Sequence, residues 1–482
     1  RYPSPELTTA NTVRMGDTVT GVTGNLRFSR GSGGSGDETY RLMPTAEPTF
    51  ISGNPRPPTA EVGGELRVAS FNVLNFFNDL DDGTGSCYPS GSTADCRGAD
   101  SQLEYDRQLQ KLVTALAAID ADIVGLIELE NDYPDGESSS IADLVAALNG
   151  APTRCAGNYE YVAPPGDGRI GDDAIAVGFI YCADTVAIAP GTVAAILDDS
   201  ALPGLGLTGP IFNGEASNRS PLAVSFQQHD TSATVTVAVN HFKSKGASTL
   251  DDPGTTCGVD IDPALEPNCD QLDGQGFWNA RRTEAAEALI VWLSSAPTGS
   301  GVPDVLIIGD LNAYLQEDPL TFLKSQGYTN LNETLAGGTT AYSFVFDAQA
   351  GLLDYALAGH ALSGQVAGVV EWHINADEPD ALDYNLNFGR NPAIFDGTVP
   401  YRASDHDAIV LGLNLVNEIV GTKRRDVLVG TDGNDRIAGE SGRDNITTGA
   451  GNDILVYNSI VDGGDIITDF EVGSDRIDLS AV

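Results

Sequence analysis

Six stretches of the chain place, at an end of a strand-like apolar segment, a group that could do acid–base or metal chemistry. In "VLIIGDLNAY" a run of Val, Leu and Ile stops at Asp310 and offers Asn312 two residues later. Side chains two apart on an extended chain share a face. A carboxylate and an amide aimed together could hold a metal-bound water or a phosphate; the plainer alternative is a turn in which Asp and Asn bond their own backbone. The same arrangement recurs. "VASFNVLNFF" presents Asn72, "IVGLIELEN" Glu128, "VAVNHFKSKG" His241, "GLLDYALAG" Asp354, and "YRASDHDAIV" both Asp405 and His406. One histidine at a strand end is usually a satisfied structural group. Two of only five, with four carboxylates and two asparagines in matching places, point to a shared hydrolytic site.

Positioning such groups needs a sheet whose strands end at one level. "LEYDRQLQKLVTALAAID" puts Leu109, Leu112, Val113 and Leu116 on one helical face, and "ADIVGLIELEN" follows as a strand. "ARRTEAAEALIVWL" is likewise followed by "VPDVLIIGDLN", while "DDAIAVGFIYC" and "ATVTVAVNHF" add strands without long helices between them. This mixture implies a mixed sheet or a pair of sheets flanked by helices. Residues 1–60 read as a small β-rich piece closing on the linker "GNPRPPTAEVGG".

The 482 residues carry 26 Lys and Arg against 68 Asp and Glu, a net charge of −42. Such a field repels polyanions. A nucleic-acid substrate would therefore have to be held by local cations and divalent ions rather than by a broad basic surface. No stretch of 18 or more apolar residues is present to span a membrane. Nothing in the sequence points to a protein partner. The chain starts at Arg1 rather than Met, as a mature form that has lost its leader would, or a trimmed one. Six cysteines without a CxxC argue for disulfides and an oxidising compartment. Fifteen pairings exist in principle; the sequential one, Cys87 with Cys96, Cys155 with Cys182 and Cys257 with Cys269, is favoured because the first and last pairs bracket short Gly-, Asp- and Pro-rich loops.

From Gly421 the character changes. "GTKRRDVLV", "GTDGNDRIA", "GESGRDNIT" and "TGAGNDILV" align without gaps at a period of nine, with Asp at the sixth position and an apolar residue at the eighth. The pattern resembles the RTX nonapeptide, in which stacked parallel turns bind Ca²⁺ through Asp carboxylates. Asp435, Asp444 and Asp453 are the expected ligands. The first copy, with Lys423 and Arg424 where small residues belong, is degenerate.

In order and local sequence, "SFNVLN", "LIELEND", "NHFKSKG", "GDLN" and "SDH" resemble the endonuclease/exonuclease/phosphatase superfamily, and most closely its bacterial extracellular-nuclease branch. The resemblance implies a DNase I-like four-layered α/β sandwich over residues 64–417. A small OB-like module would precede it in residues 1–60, and an RTX parallel β-roll would follow in 421–482. It makes Glu128 the principal ligand of Mg²⁺ or Mn²⁺, with Asn72 beside it and Asp405 a further candidate ligand. Asp310 would orient or deprotonate water, supported by Asn312, and His406, held by Asp354, would complete the water-activating side. His241 would contact the phosphate, and Arg281 at a helix start would face substrate. The chain departs from many relatives at Ile127, where they carry Gln before the metal-binding Glu. A secreted, extracellular nuclease acting on DNA, with RNA as a second substrate, is the function expected. The alternatives are a phosphodiesterase or phosphatase of the same fold acting on lipid headgroups or small esters, and a non-catalytic calcium-stabilised protein.

Overall fold

The computed structural model describes residues 6–30, 38–166, 168–214, 216–246, 250–251, 255–257, 266–336, 338–346 and 349–482. Two sheets stack face to face at its centre. In the first, the strand order is β8 (Val366–Trp372), β9 (Ala408–Leu413), β1 (Leu66–Phe76), β2 (Ile123–Glu130), β3 (Ile175–Cys182) and then Tyr159–Tyr161. The second is built on β4 (Leu222–Gln228), β5 (Thr234–His241), β6 (Val305–Asp310) and β7 (Asp354–Ala358), with short strands at its edges. β1 and β2 run parallel, as do β5 and β6, because a helical crossover joins each pair.

α1 (Gln102–Ile119) covers the first sheet. Its Leu112 and Leu116 are buried, and Leu109 and Val113 pack beside them. The Ser101 hydroxyl accepts from the Glu104 amide at its start, and Asp120 ends it in the left-handed conformation, φ 48°. α2 (Asn279–Ser294) covers the outer face of the second sheet through Ala285, Leu289 and Trp292. Helix, sheet, sheet and helix make four layers, and the expected DNase I-like sandwich is the fold observed.

The inner faces approach closely at Gly125 of β2. A Cβ there would lie 2.6 Å from Ile308 Cδ1 and 3.1 Å from Val239 Cγ2, so only glycine lets the sheets close. Gly125→Val should cost about 1–3 kcal/mol by overpacking, read as a lower denaturant midpoint. An unchanged midpoint would show that the sheets can part there freely.

Before the sandwich, Thr18–Thr20 pairs with Thr49–Ile51 and Gly24–Ser29 with Thr39–Pro44, the β-rich piece expected. The stretch read as a linker is packed down: Ala60 and Val62 are buried, and Trp372 Nε1 donates to the Pro58 carbonyl at 2.8 Å. Its apolar residues explain the difference, since they find the edge of the first sheet. Arg14 and Arg56 also tie this region to Glu378, at 3.0 and 2.7 Å. All three disulfides form in the sequential pairing. Residues 258–265, inside the last loop, lie outside the described residues.

After Val416 the chain winds into a parallel roll. One wall stacks Asn417–Val420, Asp435–Ala438, Ile454–Val456 and Arg476–Asp478; the other stacks Val427–Val429, Asn445–Thr447 and Ile466–Ile467. Ile437, Ile446 and Leu455 fill the space between the walls. The strand Asn417–Val420 precedes the first nonapeptide yet already belongs to this ladder.

Candidate active site and calcium roll

The register of the second sheet places His241 beside Asp310, and Asp310 beside Asp354, so three neighbouring strands deliver their polar ends to one level. The first sheet brings Asn72 and Glu128 to the facing edge. Both strands are irregular there, with register shifts between Asn72 and Phe76 and between Ile127 and Leu129. Glu128 itself sits at φ 66° and Asn312 at φ 48°, left-handed conformations that cost energy for non-glycine residues and cluster at functional sites. A regular strand would put Glu128 on the buried face that Leu126 occupies; the bulge turns it out to the site instead.

Asn72 Nδ2 donates to Glu128 Oε1 at 3.0 Å, and the Asn75 amide donates to Oε2 at 3.0 Å. Asn72 Oδ1 is already taken by the Leu74 amide at 2.8 Å, so in this amide orientation Asn72 holds the glutamate in place. His241 bridges the two sheets, its Nε2 3.8 Å from Asp310 Oδ2 and 4.0 Å from Glu128 Oε1. Asn312 braces Asp310 through its backbone amide at 2.8 Å and its side-chain amide at 3.0 Å. His406 Nδ1 meets Asp354 Oδ2 at 2.7 Å, and the Ser343 hydroxyl donates to the same oxygen at 2.7 Å. Phe344 stacks on the His406 ring at 4.5 Å. Ligand atoms of Asp310, Asp354 and His406 all lie within 4.8 Å of one another.

Burial and crowding set the protonation states. Burial pushes the Glu128 carboxyl above its usual range, and Asp405 adds to the push. Burial and Asp354 raise Asp310 to about 8. For His406 burial acts downward, but Asp354, Asp405 and Asp310 outweigh it and hold the imidazolium well above its ordinary value. His241 goes the other way, lowered by burial and by the positive charges of Arg219, His406, Arg97 and Lys243. The site therefore pairs a neutral histidine with a protonated one. The carboxyls of Glu128 and Asp310 crowd one another and their neighbours, and a bound cation would relieve that crowding. The donor set fits a hard divalent cation, with Glu128 a carboxylate held between the Asn72 and Asn75 amides.

Arg281 is not brought into this group. Its guanidinium donates to the Pro210 carbonyl and lies 3.6 Å from Glu284. The neighbouring Arg282 is buried instead beneath the "NHFKSKG" loop, donating to the carbonyls of Lys243 and Phe277 at 3.2 and 2.9 Å. Ser343 was not singled out from sequence, since a lone serine in a loop carries no signal of its partner Asp354.

In the roll, aspartates form two ladders. The amides of Asp426 and Asp435 donate to Asp444 and Asp453, 18 residues on, and those of Asp444 and Asp453 donate to Asp465 and Asp475, 21 and 22 residues on. Oδ2 of Asp444, Asp453 and Asp465 is buried with no hydrogen-bond partner among the described residues. Orphaned carboxylate oxygens of this kind fit Ca²⁺. Asp465 and Asp475 escaped the sequence reading because the period of nine lapses after Leu455. The surviving signal is the Asp-x-Ile spacing of Asp465–Ile467 and Asp475–Ile477.

The sequence profile of the Endonuclease/Exonuclease/phosphatase family matches residues 69–406. The chain belongs to that family. A second profile, the RTX calcium-binding nonapeptide repeat in four copies, matches residues 420–455, and the roll is that module. The endonuclease/exonuclease/phosphatase family is one of phosphoester hydrolases that typically depend on a divalent metal. No curated protein matches the chain in sequence. Similar solved structures include a family protein from Bacteroides thetaiotaomicron, 14% identical, covering 72% of this chain and 96% of that one with a TM-score of 0.43. A mannosyl-6-phosphatase from the same organism is 14% identical over 72% and 99% of the two chains, TM-score 0.42. The human Nocturnin catalytic domain, with bound sulfate, is 14% identical over 72% and 93%, TM-score 0.39. The RTX repeats and the three disulfides suggest an extracellular protein. Among the described residues no helix is long and apolar enough to cross a membrane.

Proposed function

We propose that the protein is a secreted nuclease that hydrolyses phosphodiester bonds of DNA, and of RNA as a second substrate, with little sequence preference. The observation that carries this reading is the meeting of Glu128, His241, Asp310 and the Asp354–His406 pair at the rim of two sheets. Mg²⁺ or Mn²⁺, bound at Glu128 beside Asn72 with Asp405 as a further ligand, supplies the positive charge that an anionic ester needs before it can be attacked. The chain's own residues do the rest. Asp310, fixed by Asn312 and in its ionised form, orients a water and receives its proton as the water oxygen bonds to phosphorus and the bond from phosphorus to the ester oxygen breaks. His406, kept charged by Asp354, steadies the negative charge that builds on the phosphoryl oxygens. Neutral His241, on the strand beside Asp310 and facing Glu128 of the other sheet, donates a ring N–H to the phosphate, and the departing ester oxygen takes its proton from water.

The runner-up keeps this chemistry and changes the substrate to lipid headgroups or small phosphate esters, which the charge of −42 would repel less than a long polyanion. Incubation with plasmid DNA and with a phospholipid panel, each with and without Mg²⁺, separates the two. Nicked or linear plasmid appearing only with metal is the expected result; phospholipid turnover with intact plasmid would overturn it. On DNA, activity at fixed Mg²⁺ should fall only gently between about 50 and 200 mM NaCl, because few counterions are released on binding. A loss of several orders of magnitude would require many more phosphate contacts than this surface offers.

A further inference from the structure

Beside the hydrolytic site lies a hollow of about 480 Å³ whose walls include Arg97, Arg219 and Lys243. Three of only 26 basic residues meet here, in a chain of net charge −42. The hollow is joined to the catalytic strands by backbone: the Arg219 amide donates to the His241 carbonyl at 3.1 Å, and Lys243 follows His241 by two residues. Arg97 comes from the far side, directly after Cys96 of the Cys87–Cys96 disulfide, which holds that loop against the sandwich.

Asp173 is the carboxylate that faces the cations, 3.1 Å from Arg97 Nη2 and 3.0 Å from Arg219 Nε. The hollow's other two carboxylates are turned to their own loops, Asp95 accepting from the Ser90 amide and Asp172 from the Gly214 amide, both at 2.8 Å. Arg219 Nη1 remains buried with no hydrogen-bond partner among the described residues. Lys243 Nζ lies 5.3 Å from the centre of the Trp278 ring. Burial and Arg219 bring the Lys243 ammonium down to about 8, against the opposing pull of Asp173. Three carboxylates line the hollow with the three cations, but Asp95 and Asp172 are bonded to backbone amides, and the unfilled donor at Arg219 Nη1 leaves a place for an anion.

We propose that this hollow is a second phosphate subsite, taking the phosphate next to the scissile one on the same strand. The inference rests on the nuclease reading above and deepens it: the preferred substrate carries successive phosphodiesters, and the disulfide loop contributes Arg97 to hold it. A guanidinium with an unfilled donor matches a phosphate oxygen, and a lysine against an indole adds a point charge.

The test compares a trinucleotide with bis(p-nitrophenyl) phosphate, which has one phosphodiester, in the full-length wild type and in Arg97→Ala and Lys243→Gln. The ratio of kcat/KM for the trinucleotide to that for the single ester should fall at least tenfold in each variant. The slope of log kcat/KM against log salt for the trinucleotide should also become shallower by about 0.7 for each charge removed. A purely structural role would lower both substrates in step and leave the ratio unmoved, and that result overturns the subsite. Failure of the nuclease reading shows elsewhere, as wild-type protein that leaves plasmid DNA intact. Plasmid cleavage with an unmoved ratio removes the subsite alone.

Discussion

Glu128→Gln, Asp310→Asn and His406→Ala should each lower phosphodiester hydrolysis by about two orders of magnitude or more, the scale expected for metal-ligand and proton-transfer groups. Each substitution strikes a different part of one assembly. Glu128→Gln keeps the shape that Asn72 and the Asn75 amide grip but removes the charge a cation needs. Asp310→Asn keeps the contact with Asn312 and removes the proton acceptor. His406→Ala leaves Asp354 to Ser343 alone and takes a positive charge from among the carboxylates. The fold should survive in all three, because the groups line the rim of the sandwich while the core lies between the sheets. Circular dichroism and a thermal melt establish that survival. Near-wild-type turnover in a folded variant would take that residue out of the mechanism.

Much of this site was legible in the sequence because a strand end leaves a signature: an apolar run buried on both faces, then an abrupt polar group. Glu128, His241 and Asp310 carry it, Asp354 and His406 carry it in reverse, just before a run, and Asn72 interrupts one; all six meet. What failed were inferences that depend on the direction of a side chain within a helix or loop. Arg281 and Arg282 are adjacent in sequence, and nothing local says which turns toward the "NHFKSKG" loop; packing of α2 on the second sheet decides it for Arg282. The hollow at Arg97, Arg219 and Lys243 was illegible for a related reason. Its three cations come from segments up to 146 residues apart, each reading alone as an ordinary solvated charge. The roll's later aspartates were hidden by loss of period rather than of chemistry.

Removing calcium should unfold the roll and leave hydrolysis running. The roll's core is three buried side chains, Ile437, Ile446 and Leu455, with a few partly buried neighbours. Against that stand stacked aspartates whose inner oxygens lack partners, and burial with Asp475 and Asp435 pushes Asp453 up to about 6. Such a stack repels itself without a cation, so its order should appear only when Ca²⁺ binds. The sandwich buries its own core and touches the roll lightly, for example where Gly433 lies against Thr231. Because Asn417–Val420 is the roll's first strand and Leu415 belongs to the sandwich core, the clean division falls after Val416. A chain ending there should keep most of its hydrolytic activity in Mg²⁺ and lose the Ca²⁺-dependent gain of β structure seen by circular dichroism in the full chain. In the full chain, chelation followed by Mg²⁺ alone should restore cleavage without refolding the roll. Asp444→Asn with Asp453→Asn should weaken the calcium response and spare turnover. If the shortened chain is folded yet inactive, or if Ca²⁺ leaves the full chain's spectrum unchanged, the two metals do not divide their labour in this way.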